Sequence, residues 1–287
     1  LKDTDFKVNQ AEEVYGATTG EGVTITSEKV SSTDITAVYY DGSETVPTDA
    51  GTYTVTIDVK ETTNYNGATN LEVGSFVIDQ AVLSVPVVDT TDLVYSEGMK
   101  VSAVPFTTET KAGWKWEEAD AEELVVAGSN TFTAVYEGAD AANYTDESKT
   151  AEVTFVVGKA ETYTVTGITF VNKAEIYDGT EKEVTITGTL AEGLSVVYTN
   201  NKGTNANTYS ATAQIVFDEA NDVLSKNYTN IVVEGATEET PDTLTATLTI
   251  NKGTLTVPVV DTTDLVYSEG MKLSAVPFTT ETKAGWG

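Results

Sequence analysis

The 287 residues predict an all-β chain of tandem small antiparallel β-sandwich domains in an elongated array. Three observations carry that prediction: period-two alternation, turn dipeptides between the alternating runs, and internal repeats. The runs TYTVTIDV, FTAVY, EVTFVV, YTVTGITFV, KEVTITGTL, SATAQIVF and TATLTI alternate β-branched or aromatic residues with polar ones. That pattern buries one face of a strand, and Thr and Val favour the pleated conformation. Asp41-Gly42, Asn66-Gly67, Asp178-Gly179 and Lys202-Gly203 read as turns between runs. WEEADAEELV (116–125) has room for one helical turn, and no segment keeps a 3.6 period for three turns. About seven short strands per repeat suggest an immunoglobulin-like sandwich. A β-grasp-like unit with a short helix is the alternative. No Cys-Trp-Cys pattern is present, which excludes the antibody version.

The repeats fix the domain organisation. Val85–Trp114 reads VPVVDTTDLVYSEGMKVSAVPFTTETKAGW, and Val257–Trp286 repeats it with one change in 30 positions, Val101 to Leu273. A weaker repeat lies inside that period. Tyr53 is followed by Asn64-Tyr65 and then Phe76; at an offset of 79 come Phe132, Asn143-Tyr144 and Phe155. A third unit has Tyr209, Asn227-Tyr228 and ATLTINKG, with longer gaps at FDEANDVLSK and EGATEETPD. Those additions are acidic and turn-rich, and they read as loop insertions. The expected domains are 1–80, 81–159, 160–252 with the insertions, and 253–287, the start of a repeat homologous to 81–115. The joints ID-QA, VG-KA and IN-KG are two or three residues long, which predicts little swing between units.

Composition excludes many chemistries. The chain has 16 Lys and no Arg, 45 Asp plus Glu, no His and no Cys, for a net charge of -29. There is no disulfide framework, thiol nucleophile, thiolate zinc site or Ser-His-Asp triad. Bidentate arginine recognition of phosphate is absent. The negative charge repels nucleic acid and anionic membrane surfaces. No run reaches the roughly 18 apolar residues of a membrane-spanning helix, so no membrane insertion is expected. Hydrophobic residues make up 40% and aromatics 9%, enough for folded cores in place of a disordered acidic tail. The missing leader and initiator Met suggest a segment of a longer protein.

Several segments carry a family resemblance. IYDGTEKEVTITG (176–188), AGTYTVTI (50–57), an Asn-Tyr pair before a last strand, and the closing ATLTINKG resemble the MBG/YDG-type repeats of large bacterial surface proteins. GWKWEE followed by VVAGSNTFTAVYEGADAANYTD (125–146) is similar to a related bacterial Ig-like repeat. Val14-Tyr15-Gly16 and Val94-Tyr95-Ser96 depart from the YDG pattern. The resemblance implies an extracellular, cell-surface or secreted adhesin segment that builds stalks. It also implies host glycan, mucin or extracellular-matrix protein as partners, together with neighbouring repeats of the same chain. The family offers no catalytic motif to transfer.

Candidate sites follow from residue type. Trp114 and Trp116, two apart, share one face of a strand and form a candidate platform for stacking a sugar; the alternative is that they fill the core. Asp218, Glu219, Asn221 and Asp222 form the best acidic cluster for calcium, with Glu117, Glu118, Asp120, Glu122 and Glu123 a second. Neither has the spacing of a calcium loop, and a solvated acidic face is the alternative reading. Tyr65, Tyr144 and Tyr228 read as structural corners, with ring buried and hydroxyl tied to a loop backbone. GATTGEG (16–22) lacks the Lys-Ser/Thr ending of a phosphate loop. Carboxylates are scattered, as opposed to paired across a cleft, so no enzymatic activity is expected. A Lys173–Asn251 isopeptide bond is conceivable if the first and last strands of the third unit pair.

The function that emerges is a non-enzymatic stiff stalk or spacer. Two alternatives stand beside it: the repeats themselves bind glycan, mucin or matrix protein, or the chain is a filament subunit using strand addition through 253–287. Residues 253–287 are too few for a closed sandwich, so either the repeat continues or another chain completes it.

Overall fold

Strands are the main regular structure of the computed structural model, which describes residues 1–10, 12–17 and 20–279. By contacts the chain divides into two units, 1–160 and 161–287. Three apolar clusters lie along it: one within residues 6–78, one within 83–157 and one within 165–250.

The first unit begins with β1 (Phe6–Asn9), β2 (Glu12–Val14), β3 (Thr24–Ser27), β4 (Ile35–Tyr40), β5 (Gly51–Val59) and β6 (Ala68–Asp79). β1 and β3 pair antiparallel, and β2-β6-β5-β4 form a four-stranded sheet. Alternation places Val55, Ile57, Phe76 and Ile78 on the inner face of the large sheet, against Phe6 and Ile25 from the small one. The Asp41-Gly42 turn leaves β4 with φ of 50° and 85°, and Tyr40 and Ser43 exchange both backbone hydrogen bonds around it. Two successive positive φ values define a type I′ turn, which suits Asp-Gly.

The unit continues with β7 (Trp114–Trp116), the single helical turn α1 (Glu118–Ala121), β8 (Gly128–Tyr136) and β9 (Thr150–Val157). These strands form one antiparallel sheet in the order β7-β8-β9. Residues 81–113 cover its inner face as an irregular segment tied by isolated bridges, among them Val88–Phe106 and Lys100–Leu124.

The second unit contains β10 (Ala160–Val165), β11 (Lys173–Ile176), β12 (Lys182–Glu183), β13 (Leu194–Thr199), β14 (Lys202–Gly203), β15 (Asn207–Phe217), β16 (Tyr228–Val233) and β17 (Thr243–Asn251). The main sheet runs β11-β17-β15-β13, beside the pairs β10-β16 and β12-β14. Lys202-Gly203 is therefore a short strand and not a turn. The reversal falls one step earlier, where Asn200 takes φ 54°. Gly203 packs against Tyr209, and a Cβ there would lie 2.3 Å from the ring.

The sheets are mixed where the sequence pattern suggested purely antiparallel ones. β2 runs parallel to β6, β11 runs parallel to β17, and Val94 makes a parallel bridge to Gly158. In each repeat a tyrosine closes this pairing. Tyr15, Tyr95 and Tyr177 donate their backbone N–H groups to the carbonyls of Asp79, Gly158 and Asn251, at 2.9, 2.9 and 2.8 Å. These are the tyrosines of the VYG, VYS and IYD segments. Period-two alternation reports which face is buried and is blind to strand direction, which is why the parallel pair was invisible in it.

Two tyrosine hydroxyls make bonds of the corner type. Tyr53 and Tyr209 donate to carbonyls four residues upstream, Asp49 at 2.8 Å and Asn205 at 3.1 Å. Phe132 replaces that tyrosine in the second repeat. There the buried Asn130 ties the same bend, donating to Val126 at 2.8 Å and Gly128 at 3.0 Å. Tyr209→Phe is expected to cost about 1 kcal/mol through the lost hydrogen bond. Leu248→Ala, at a fully buried site, is expected to cost about 2–5 kcal/mol. Denaturant midpoints followed by far-UV circular dichroism check both, and the ordering Leu248→Ala over Tyr209→Phe is the firm expectation.

Candidate functional site

Trp114 and Trp116 lie in the core of the second repeat, 8% and 7% exposed. The sharing of one strand face holds, and that face is the inner one. Trp116 stacks on Phe106 with ring centroids 4.7 Å apart and donates its indole N–H to the Val104 carbonyl at 2.8 Å. Trp114 meets Tyr136 edge-on at 5.6 Å, and its Nε1 is buried with no hydrogen-bond partner among the described residues. Stacking a sugar needs an open aromatic face, and the pair presents none.

The first acidic cluster does not converge. Asp218 accepts the backbone N–H of Ala220, Asn221 donates to Glu192, and Asp222 pairs with Lys226 at 3.0 Å. The second is likewise committed locally: Asp120 accepts the Thr133 N–H, and Glu122 pairs with Lys100. Among the described residues no group of three or more carboxylates is arranged to hold a metal ion. Lys173 pairs with Glu175 and donates to the Glu183 carbonyl, and in the strand register its partner is Leu248, three positions short of Asn251.

The three Asn-Tyr pairs diverge in role. Tyr65 is half-buried and exchanges bonds with Thr62; Tyr228 is buried edge-on to Tyr163 at 5.1 Å. Asn143-Tyr144 is the pair with the most connections. Asn143 is buried and reaches into the first repeat, accepting the Ala50 N–H at 2.7 Å and donating to Asp49 at 2.9 Å. Around it, Ala81 and Thr145 continue the joint as a ladder: Ala81 N–H donates to Asn143, and Thr145 N–H donates to Ala81. Gln80 donates its side-chain amide to Ala142. Tyr15 packs edge-on to Tyr144 at 5.4 Å and its hydroxyl donates to Asp140 at 3.4 Å.

Asp140 gathers this corner. It accepts the Tyr136 hydroxyl at 2.5 Å and pairs with Lys111 at 2.9 Å. The Tyr136 hydroxyl and then the Lys111 ammonium hold its carboxyl down at about 2. Asp140 and Tyr144 raise Lys111, whose ammonium sits 5.4 Å from the Tyr144 ring centre and 5.9 Å from that of Tyr136. Val82, Val85, Val87, Thr110, Lys111 and Tyr144 line a groove of about 340 Å³ beside it. Asp140 and Lys111 are paired with each other, so this corner binds the repeat together.

Sequence reading missed Asn143 as a bridge, along with Lys111 and Asp140. The recurring Asn-Tyr pair marked the position, but its counterparts at 64 and 227 sit in different surroundings. No model of a known family matches the chain, and no curated protein matches it.

Two outcomes follow. In a Trp286→Phe background, Trp114→Ala and Trp116→Ala are each expected to cost about 3–5 kcal/mol and to unfold the second repeat, read by fluorescence of the remaining indole and by circular dichroism. Because the folded carboxyl of Asp140 lies below its ordinary 3.8, its contribution is complete above that value and fades as pH falls toward 2. Asp140→Asn should therefore flatten the acid limb of the second repeat's stability profile between pH 4 and roughly 2 while lowering its plateau at neutral pH. An unchanged acid limb refutes that role.

Proposed function

We propose that this chain is a stretch of the extracellular stalk of a bacterial surface adhesin, a non-enzymatic spacer of immunoglobulin-like repeats. The observation that carries this reading is the joint at residues 79–81. A two-residue connection whose backbone continues into the neighbouring repeat, with Asn143 bonded across it, resists bending in a way that a solvated linker does not. The parallel pairing of β2 with β6 and of β11 with β17 supports the same role. Tension that draws the two strands of such a pair apart along their axes loads it in shear, so its hydrogen bonds share the load instead of breaking in sequence. A surface of net charge -29 keeps neighbouring stalks apart. Host glycan, mucin or matrix binding loses its leading candidates with both tryptophans in the core.

The absence of cysteine allows clean labelling. Spin labels at Glu28→Cys and Glu118→Cys, both exposed, report the distance across the joint. Pulsed electron paramagnetic resonance should give one narrow distribution, broadened when Tyr15→Ala and Asn143→Ala are added with both repeats still folded. A broad distribution in the parent chain would defeat the spacer reading.

A further inference from the structure

The connection between β5 and β6 holds the chain's one Asn-Gly pair, Asn66-Gly67. The residues before it are tied down. Lys60 donates its backbone N–H to the Asp34 carbonyl at 2.9 Å, and its ammonium pairs with the Asp34 carboxylate at 3.1 Å. Thr62 N–H donates to the Tyr65 carbonyl at 2.9 Å, and Tyr65 N–H donates to the Thr62 hydroxyl at 3.1 Å. The ties stop at Tyr65. Asn66 and Gly67 are both exposed, and among the described residues neither the Asn66 carboxamide nor the Gly67 N–H makes a hydrogen bond. Packing favours glycine at 67. A Cβ there would stand 3.0 Å from the Val59 carbonyl oxygen and 3.1 Å from the Glu61 nitrogen, both backbone atoms. The same lack of a side chain leaves the Gly67 nitrogen unhindered beside the carboxamide that precedes it.

We propose that Asn66 is a self-modifying site, which loses ammonia and becomes isoaspartate and aspartate while the protein stays folded. Asparagine is a thermolabile residue, and the fold here does nothing to hold it. The Gly67 nitrogen gives its proton to hydroxide and attacks Cγ of Asn66. That C–N bond forms, the bond from Cγ to the side-chain nitrogen breaks, and the nitrogen leaves as ammonia with a proton from water. Water then opens the cyclic imide. Opening at Cγ gives aspartate. Opening at the main-chain carbonyl gives isoaspartate, whose backbone runs through Cγ and is one carbon longer. Nothing is oxidised or reduced, and either product adds a negative charge. The extra carbon falls between Tyr65, which packs on the first core, and the start of β6.

Other positions lack one part of this arrangement. Asp41-Gly42 and Asp178-Gly179 offer carboxylates, which are poor targets for a nucleophile, and both are engaged: Asp41 accepts the Thr54 N–H at 2.7 Å, and Asp178 pairs with Lys182 at 2.7 Å. Buried Asn130, Asn143 and Asn227 precede Thr or Tyr, and their carboxamides are hydrogen-bonded. The inference needs only the β5–β6 connection and holds whether or not the array is a spacer.

The test is to age the full chain in mildly alkaline buffer beside a synthetic peptide of residues 60–72. Amide loss is mapped by mass spectrometry, with fragmentation that separates isoaspartate from aspartate. Loss is expected at Asn66 ahead of every other asparagine, with isoaspartate the larger product and a rate proportional to hydroxide. Because no opening of the fold is needed first, the rate in the folded chain should lie within about tenfold of the peptide's. Asn66→Gln, whose attack would need a larger ring, should remove the reaction and leave the circular dichroism unchanged. A folded chain slower than the peptide by more than that margin overturns the proposal, since the fold would then be shielding the pair. So does amide loss that is fastest at any other asparagine.

Discussion

One backbone hydrogen bond organises each repeat: the N–H of a motif tyrosine donated to the carbonyl at the end of the last strand. Tyr15 to Asp79, Tyr95 to Gly158 and Tyr177 to Asn251 make it at nearly the same length, although their side chains and neighbours differ. The bond joins a segment in the early part of a repeat to the end of its last strand, so it forms only when the strands between them are in place. Phe76, Phe155 and Leu248, which alternate inward on those last strands, then have a complete core around them. In the segment 253–279 the corresponding Tyr267 is 84% exposed, and the residues that closure would bury are exposed with it.

Small domains without disulfides have little burial to spare. The first two repeats respond by sharing. Tyr15 packs against both of their cores, and Asn143 satisfies backbone and side-chain groups of the first repeat from within the second. A buried polar side chain placed this way costs stability if the joint opens, because its partners are lost together. The connection thus acts as part of the fold, because opening it separates Asn143 from Asp49 and Ala50.

Much of this was legible in sequence, and the exceptions have physical causes. Alternation in TYTVTIDV and EVTFVV located β5 and β9 and their inner faces, because burial of one face needs period two. The offset of 79 placed Phe76 and Phe155 in equivalent core positions. Strand direction was illegible, since a parallel and an antiparallel edge carry the same alternation. Lys202-Gly203 looked like a turn, yet Gly203 is small because Tyr209 lies against it. The WKW segment admitted a stacking platform beside the core, because a strand pattern specifies that two residues share a face without saying which face is solvated. Asn143 was marked by recurrence, but its bonds depend on Asp49 and Ala50, which only the folded joint brings near.

The claim that the tyrosine closure organises each repeat is tested most directly by hydrogen exchange of three amides in the full chain. If the account holds, the N–H groups of Tyr15, Tyr95 and Tyr177 exchange only through global unfolding of their repeats, as slowly as the amides of Val55, Ala134 and Ala213, while Tyr267 exchanges at the rate of an open loop. Exchange of the three closing tyrosines by local fraying, orders of magnitude faster than the core strands, would show that the repeats are complete without that bond and would contradict the account.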